Sequence, residues 1–370
     1  MLDKAIINQF KINGDLKDVK QISGGLIHKT FVVTFEENGQ EKRYLIQNVN
    51  TNVYKNPYEL MDNIEKVTNF LNKKMKECND TKHKTLTIIK TNSGENLLKY
   101  VNEMGEEDFY RAYEFIENSE GFDNTKDEQI IKTAGRGFGN FQKMLNDFPI
   151  ENLAETIKDF HNTKKRFEKF EKSIKTDSVG RVKLVKKEID FILERKELAN
   201  IILEKLENGK IPYRVAHNDT KVNNVMLNSK TKDFLAVIDL DTVMPGSGLY
   251  DYGDGIRSAA SNAREDETNT NEIFIKNNLF EAYTEGFLNE MAPYITLEEV
   301  NLMGKSIEVL TFELALRFLD VYINGDTYFS CQYETHNLNR ARNQINLVKD
   351  IEKKIKYMND YILHTYLKYK

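Results

Sequence analysis

Polar residues crowd two neighbouring segments of the chain, HNDTKVNNVML at residues 217–227 and VIDLDTVMPG at residues 237–246. The first segment carries His217, Asp219, Lys221 and Asn224 just before an apolar strand pattern. The second is the end of an apolar run, FLAVIDL, that contains Asp239. Charged groups in such surroundings are costly unless they are paired or bind a ligand, so these two segments indicate a site.

The spacing His217-x-Asp219-x-x-x-x-Asn224 matches the catalytic-loop pattern H-R-D-x-x-x-x-N of protein kinases. Phosphoryl transfer needs an oriented acceptor hydroxyl and neutralisation of the phosphate charge. Asp219 is suited to orient the hydroxyl and accept its proton. Asn224 and Asp239 offer the oxygen ligands that Mg²⁺ prefers. Lys221 is suited to the γ-phosphate of ATP.

Four further residues are expected to have less direct roles, and a lone motif of this kind can also be a capped turn. His217 is expected to brace the loop. Asp251, in GLYDYGDG, is expected to brace it through backbone hydrogen bonds. For Asp241 two roles stay open, a second metal ligand or a carboxylate that caps a turn. For His28, just past Gly24-Gly25, a position facing the cleft stays open, and a surface strand position is favoured.

The composition predicts a soluble globular protein rather than a nucleic-acid-binding or membrane protein. The chain has 370 residues, enough for two lobes, and its net charge of -5 argues against nucleic-acid binding. Cys78 and Cys331 are far apart, which argues against a disulfide framework or zinc site. No apolar run approaches a membrane span and the N-terminus lacks a signal-peptide core, so we expect a cytoplasmic monomer or weak homodimer.

The periodicity of the chain predicts an α+β fold with two lobes. Five β-rich runs lie at residues 29–35, 43–49, 85–91, 96–102 and 109–116, and one helix begins at Pro57. Residues 1–116 would form a nucleotide-binding lobe with a five-stranded sheet, joined by a hinge at residues 113–120. Residues 117–370 would form a mainly helical lobe. It contains a helix over residues 297–323 with a capping box at Thr296 and Glu299.

Several segments resemble one family. They are YLIQNVNTNVYKNPYELMDNI (44–64), YRAYEFIE (110–117), GRGFGNFQKMLNDFP (135–149), ETIKDFHNTKKRF (155–167), the two motifs above and DYGDGIRSAASN (251–262). They resemble the aminoglycoside phosphotransferase and choline kinase superfamily, whose fold is protein-kinase-like. Within this superfamily, the segments resemble the bacterial N-acetylhexosamine 1-kinases more closely than the other branches.

The resemblance implies an enzyme that uses ATP and Mg²⁺ to make a sugar 1-phosphate and ADP. Asp219 would be the base at the anomeric hydroxyl, with Asn224 and Asp239 holding the metal. The remaining implied positions are the hinge residues Tyr113, Phe115 and Ile116, the phosphate-loop residues Ser23, Gly24 and Gly25, and the sugar-side residues Ile27, Arg317 and Tyr328.

Arg317 can also be considered without the family. It lies on the inward stripe of the predicted helix over residues 297–323, together with Leu310, Leu314 and Val321. An unpaired guanidinium would be costly there. A structural ion pair and a contact with the sugar both stay open, and the resemblance favours the sugar, with Tyr328 as its partner.

Two departures from the kinase pattern keep other functions open. Gln47 stands at the strand position where many kinases carry lysine, and SGG at residues 23–25 is an incomplete glycine loop. Both would suit a nucleotide-binding pseudokinase. A kinase for a choline-like alcohol or an aminoglycoside is a second alternative, and a metal-dependent hydrolase is a third.

Overall fold

The computed structural model describes residues 2–22, 27–102, 104–269 and 272–370. Its N-terminal lobe contains, in chain order, α1 (Lys4–Ile7), β1 (Asp15–Ile22), β2 (Lys29–Glu37), β3 (Gln40–Asn48), α2 (Pro57–Glu77), β4 (Ile88–Ile89), β5 (Leu98–Val101) and β6 (Glu107–Glu114). The strands form one antiparallel sheet in the order β1-β2-β3-β6-β4, with β5 also paired to β6.

The sheet has six strands, which corrects the predicted five. The additional strand is β1, and most of its side chains are exposed because it lies at the edge of the sheet. Its sequence, DLKDVKQI, lacks the apolar alternation of a half-buried strand, so a search for that pattern passes over it. The predicted β2–β3 hairpin is confirmed. Its turn residues Asn38 and Gly39 both have positive φ, as a type I′ turn requires.

Helix α2 connects the two lobes. It begins at Pro57, as predicted, and Asn56 caps it by accepting a hydrogen bond from Glu59 N. Its predicted apolar face is buried in the hydrophobic cluster of the C-terminal lobe rather than in that of the sheet. The buried Asn63 reinforces this attachment, because its Nδ2 donates to Ala154 O at 2.8 Å and to Val243 O at 3.0 Å.

The C-terminal lobe is mainly helical. It contains β7 (Ser119–Glu120), α3 (Glu128–Met144), α4 (Thr163–Thr176), α5 (Lys186–Leu193), α6 (Ile201–Glu207), β8 (Arg214–Ala216), β9 (Val225–Asn228), β10 (Phe234–Val237), β11 (Met244–Gly246), α7 (Gly248–Ala260), α8 (Asn277–Met291), α9 (Leu297–Ile323) and α10 (His336–Tyr369). Helix α9 has the predicted bounds, and its capping box between Thr296 and Glu299 is confirmed.

Helices α3 and α8 cross closely enough that only glycine fits at two positions. A Cβ at Gly135 would lie 2.3 Å from Tyr283 O, and one at Gly286 would lie 2.0 Å from Lys132 O. This rigid base supports two small sheets, β8–β11 and β7–β9–β10. The loops that follow β8 and β10 carry the two polar segments. Within the described ranges, no helix is both long and apolar enough to cross a membrane.

Candidate active site

The loop after β8 is fixed by hydrogen bonds to buried groups. The carboxylate of Asp251 accepts from His217 N at 2.9 Å and Asn218 N at 2.8 Å, and Gln142 also donates to it. His217 Nδ1 accepts from Asp219 N at 3.3 Å, so Nε2 carries the ring proton and donates to Ile238 O at 2.9 Å. These contacts hold the loop from both sides, as a bracing role for His217 and Asp251 requires.

Asp219 faces Lys221 at the surface of this loop. The ammonium nitrogen Nζ lies 2.9 Å from Asp219 Oδ1. Burial lowers the pKa of Lys221, but the neighbouring Asp219 carboxylate outweighs it and raises that pKa overall. The Asp219 side chain is partly accessible, with 27% of its surface exposed.

Asn224 and Asp239 are brought together by the backbone. Ile238 N donates to Asn224 O at 2.9 Å, which ties the end of the catalytic loop to the end of β10. Asn224 Nδ2 donates to Asp219 O at 2.9 Å, and its amide oxygen accepts no hydrogen bond from the described residues. Burial and the carboxylates of Asp241 and Asp219 raise the pKa of Asp239. A divalent cation would relieve this excess of negative charge.

These donors fit Mg²⁺ in the mode that ATP-dependent enzymes use. Mg²⁺ is held there by one or two protein oxygens together with phosphates and water. No group of three or more His, Cys, Asp or Glu arranged around one metal position occurs in the described part of the chain. Asn224 and Asp239 would therefore hold the ion together with the nucleotide.

Asp241 is engaged in an ion pair between the lobes. Arg111 on β6 binds it through Nη1 to Oδ1 at 2.5 Å and Nη2 to Oδ2 at 2.8 Å. His28 Nε2 lies 2.5 Å from the same Oδ2. Both oxygens thus accept hydrogen bonds from the N-terminal lobe, and the role of Asp241 as a second metal ligand stays a prediction. His28 is corrected from a surface strand residue to an almost completely buried one, with 6% side-chain exposure.

Gln47 is held by two neighbours on the sheet. Its Oε1 accepts from Arg111 Nε at 2.9 Å, and its Nε2 donates to Thr30 Oγ1 at 3.1 Å. One N–H of the amide therefore remains for a phosphate. The predicted phosphate-loop residues Ser23, Gly24 and Gly25 lie outside the described residues.

The hinge residues differ in what they can offer a nucleotide base. Tyr113 is buried and paired to both Leu45 and Ile88 in the sheet. Phe115 N already donates to Arg43 O at 3.0 Å. Ile116 N has no hydrogen-bond acceptor among the described residues. Of the three predicted positions, Ile116 is therefore the one with an available amide, and its contact with adenine stays a prediction.

Arg317 lies between aromatic rings, without an ion-pair partner at contact distance in the described chain. Its guanidinium is 5.9 Å from the centre of Phe160 and 5.5 Å from that of Phe329. Burial and the nearby Arg166 lower its pKa. Tyr328 packs edge-on against Phe329 and is 68% exposed, and Ile27 is exposed at the other lobe. Arg317 and Tyr328 therefore border one region, open to a ligand.

Glu313, one turn before Arg317, organises the same region. Its carboxylate lies 2.9 Å from His161 Nδ1 and accepts from Thr163 Oγ1 at 2.5 Å, and these contacts were not predicted. Since Nδ1 donates to Glu313, the other ring nitrogen, Nε2, must find a different partner. That atom is buried and has no partner in the structure.

The carboxylate of Glu265 interacts electrostatically both with the region around Arg317 and with the loop that follows β8. Glu265 accepts from Arg257 Nη1 at 3.3 Å. Its charge also acts on the pKa of Lys221 and of Arg317, so it lies within electrostatic range of both. The segment 155–167, which resembles the family, was the sequence signal that pointed to His161.

Comparison with known proteins gives one family. A model of the phosphotransferase enzyme family matches residues 18–285. The chain is similar to a microcompartment-associated aminopropanol kinase, with 14% identity and a TM-score of 0.59 over 96% of this chain and 99% of that one. It is similar to a spectinomycin phosphotransferase in complex with ADP and spectinomycin, with 14% identity and a TM-score of 0.58 over 95% of this chain and 97% of that one. It is also similar to choline kinase from Cryptosporidium parvum Iowa II, with 15% identity and a TM-score of 0.56 over 98% of this chain and 100% of that one. At these identities the likeness shows the fold, and it confirms the predicted protein-kinase-like, bilobal α+β class.

Proposed function

The chain belongs to the phosphotransferase enzyme family, and we propose that it uses Mg²⁺ and ATP to phosphorylate the anomeric hydroxyl of an N-acetylhexosamine or hexose. One observation carries the choice of acceptor. The guanidinium of Arg317 has no ion-pair partner and the buried His161 Nε2 has no hydrogen-bond partner among the described residues, and both side chains interact with Glu313. Several hydroxyl groups on one small molecule would satisfy these groups together.

The residues of the catalytic loop would act on the acceptor. Asp219 orients the attacking hydroxyl and takes its proton, and Lys221 is close enough to exchange its ion pair for a phosphate oxygen. Asn224 and Asp239 would hold Mg²⁺, which, when bound, neutralises charge on the β- and γ-phosphates. Binding of ADP by the spectinomycin phosphotransferase supports nucleotide use in this fold.

The charge of the acceptor side disfavours a cationic substrate. Arg317 and Arg166 are near enough for each to influence the other, and Arg257 borders the catalytic loop. A choline-like ammonium group would need acidic or aromatic cage residues there. The aromatic rings of Phe160 and Phe329 already face Arg317. A neutral or anionic hydroxyl compound fits this region better.

A substrate panel tests the proposal. The purified protein is incubated with Mg-ATP and, separately, with N-acetylglucosamine, N-acetylgalactosamine, glucose, galactose, choline, ethanolamine and an aminoglycoside. ADP release is measured, and ³¹P NMR identifies the phosphorylated position. We expect turnover with one or more sugars and a phosphate at C1. Turnover confined to amino alcohols or aminoglycosides would refute the sugar assignment.

The same panel separates a kinase from a pseudokinase. The variant Asp219→Asn serves as the matched control, because it keeps the size of the side chain and removes the base. Mg-ATP binding without turnover on any acceptor in the panel would favour the binding-protein alternative that Gln47 raised.

A further inference from the structure

Protein kinases carry a cationic side chain on one strand of the N-terminal lobe. In this protein the cationic side chain lies on the neighbouring strand of the sheet, β6. Kinases use a strand lysine paired with a helix glutamate, both in the N-terminal lobe. Here the strand residue is Gln47, and the antiparallel register sets Arg111 of β6 directly opposite it. Arg111 Nε donates to Gln47 Oε1 at 2.9 Å, so the two side chains lie on the same face of the sheet.

The carboxylate that pairs with Arg111 also comes from a different part of the fold than in protein kinases. Among the described hydrogen bonds of Arg111, the one to helix α2 goes to the sulfur of Met61, at 3.9 Å from Nη1. The carboxylate comes from the C-terminal lobe, where Asp241 receives both guanidinium nitrogens at 2.5 and 2.8 Å. Arg111 is 2% exposed and Asp241 3% exposed. A paired contact of this geometry is among the stronger and more directional ones in proteins.

The segment that Arg111 holds is the one that carries Asp239. Asp239 has φ of 59°, in the left-handed region, which a residue other than glycine keeps only where its surroundings impose it. Leu240 anchors the segment in the core, and Asp241 anchors it to the N-terminal lobe through Arg111 and His28. His28 is itself fixed, because its Nδ1 accepts from Asn50 N at 3.0 Å.

We propose that Arg111 is a positioning residue that replaces the strand lysine–helix glutamate pair: by holding Asp241 across the lobes, it sets the metal-binding carboxylate of Asp239 in place. This proposal rests on the proposed function, since it assumes that Asp239 binds the metal of a metal–nucleotide complex. It assigns Arg111 no contact with the phosphates. It also gives Asp241 the role of anchor rather than second metal ligand.

Metal binding in the absence of any acceptor tests the proposal. Mn²⁺ is titrated into the full-length protein saturated with the non-hydrolysable ATP analogue AMP-PNP, and free Mn²⁺ is followed by EPR. The variants are Arg111→Met, Arg111→Lys, Asp241→Asn and the double variant Arg111→Met/Asp241→Asn. Arg136→Met is the matched control, because Arg136 on helix α3 forms a partly exposed ion pair with Glu290 on α8, within the C-terminal lobe. Circular dichroism verifies folding, and calorimetry measures AMP-PNP affinity without metal.

We expect Mn²⁺ affinity to fall about tenfold or more in Arg111→Met, as it does when groups that orient metal ligands are lost. Asp241→Asn should weaken it similarly, and the double variant should be no worse than the more affected single variant. Arg111→Lys, which keeps the charge and loses the paired geometry, should lie between wild type and Arg111→Met and carries the test if Arg111→Met does not fold. Metal-free AMP-PNP affinity of the variants and Mn²⁺ affinity of the Arg136→Met control should stay near wild type.

Three results would overturn the proposal. Wild-type Mn²⁺ affinity in folded Arg111 variants would reduce Arg111 to a purely structural residue. A large loss of metal-free AMP-PNP affinity with Mn²⁺ affinity unchanged would make Arg111 a phosphate ligand. Additive losses in the double variant would mean that Arg111 and Asp241 act separately. If the wild-type protein binds no Mn²⁺ with AMP-PNP, the proposed function fails together with this inference.

Discussion

Replacing Glu313 by glutamine probes the charge arrangement of the acceptor side. Glu313 is buried, and its neighbours are almost all donors or cations: His161 at 2.9 Å, Thr163 at 2.5 Å and Arg166 at 3.6 Å. Although burial alone would raise the pKa of this carboxyl, His161, Arg166 and Arg317 lower it from 4.5 to about 2. The folded protein therefore holds Glu313 as a carboxylate, and glutamine keeps its shape without the charge.

The magnitude follows from this change in pKa. Lowering the pKa from 4.5 to about 2 corresponds to roughly 3 kcal/mol in the free energy of unfolding. Because the folded pKa lies below the unfolded one, the stabilisation is complete above pH about 4.5 and is lost as the pH falls towards 2. The difference between wild type and Glu313→Gln should thus be constant near neutral pH and shrink below about pH 4.5.

Urea unfolding followed by far-UV circular dichroism measures this difference, since the chain has no tryptophan to report by fluorescence. The control is Glu298→Gln on the same helix, whose pair with Lys205 is more than a third exposed and worth about 0–1 kcal/mol. We also expect Glu313→Gln to raise the acceptor KM, because His161 and Arg317 lose the negative charge of the carboxylate that holds them in place. A stability difference below about 1 kcal/mol at pH 7, or one that persists unchanged to pH 2, would refute the reasoning.

Three further substitutions test individual roles. Asp219→Asn should lower kcat about 10²–10⁴-fold while AMP-PNP affinity stays within a few-fold, and a near-normal kcat would remove the base assignment. Arg317→Ala should raise the acceptor KM by about tenfold or more, because the acceptor loses a hydrogen bond to a charged group. The KM for ATP should stay unchanged. A variant that unfolds instead would show Arg317 to be structural. Asp239→Asn should weaken the Mg²⁺ dependence of nucleotide binding, and titrations with and without Mg²⁺ that match wild type would contradict this ligand.

Local signals in the sequence predicted the elements that local energetics decide. The capping box at Thr296 and Glu299, the position of Pro57 and the Asn38-Gly39 turn each depend on residues within a few positions of one another. The catalytic loop is also local, since His217 to Asn224 span one short segment. Strand β1 escaped detection because pairing at one edge fixes it, whereas its side chains remain in water.

Contacts between distant segments could not be predicted in the same way. Arg111 and Asp241 are 130 residues apart, and His161 and Glu313 are 152 apart. No spacing rule connects such pairs, and each contact forms only when distant segments of the chain pack together. Asp241 illustrates the limit, because a metal ligand and a turn cap were the two roles that its sequence neighbourhood suggested, and neither includes an arginine on another lobe.

The structure of the protein with Mg²⁺, AMP-PNP and the preferred sugar tests the central claim most directly. We predict one Mg²⁺ bound by Asn224 and Asp239 at about 2.1 Å, with the anomeric hydroxyl within hydrogen-bonding distance of Asp219. A nucleotide bound elsewhere, or Asp219, Asn224 and Asp239 facing different cavities with the metal bound by none of them, would contradict it.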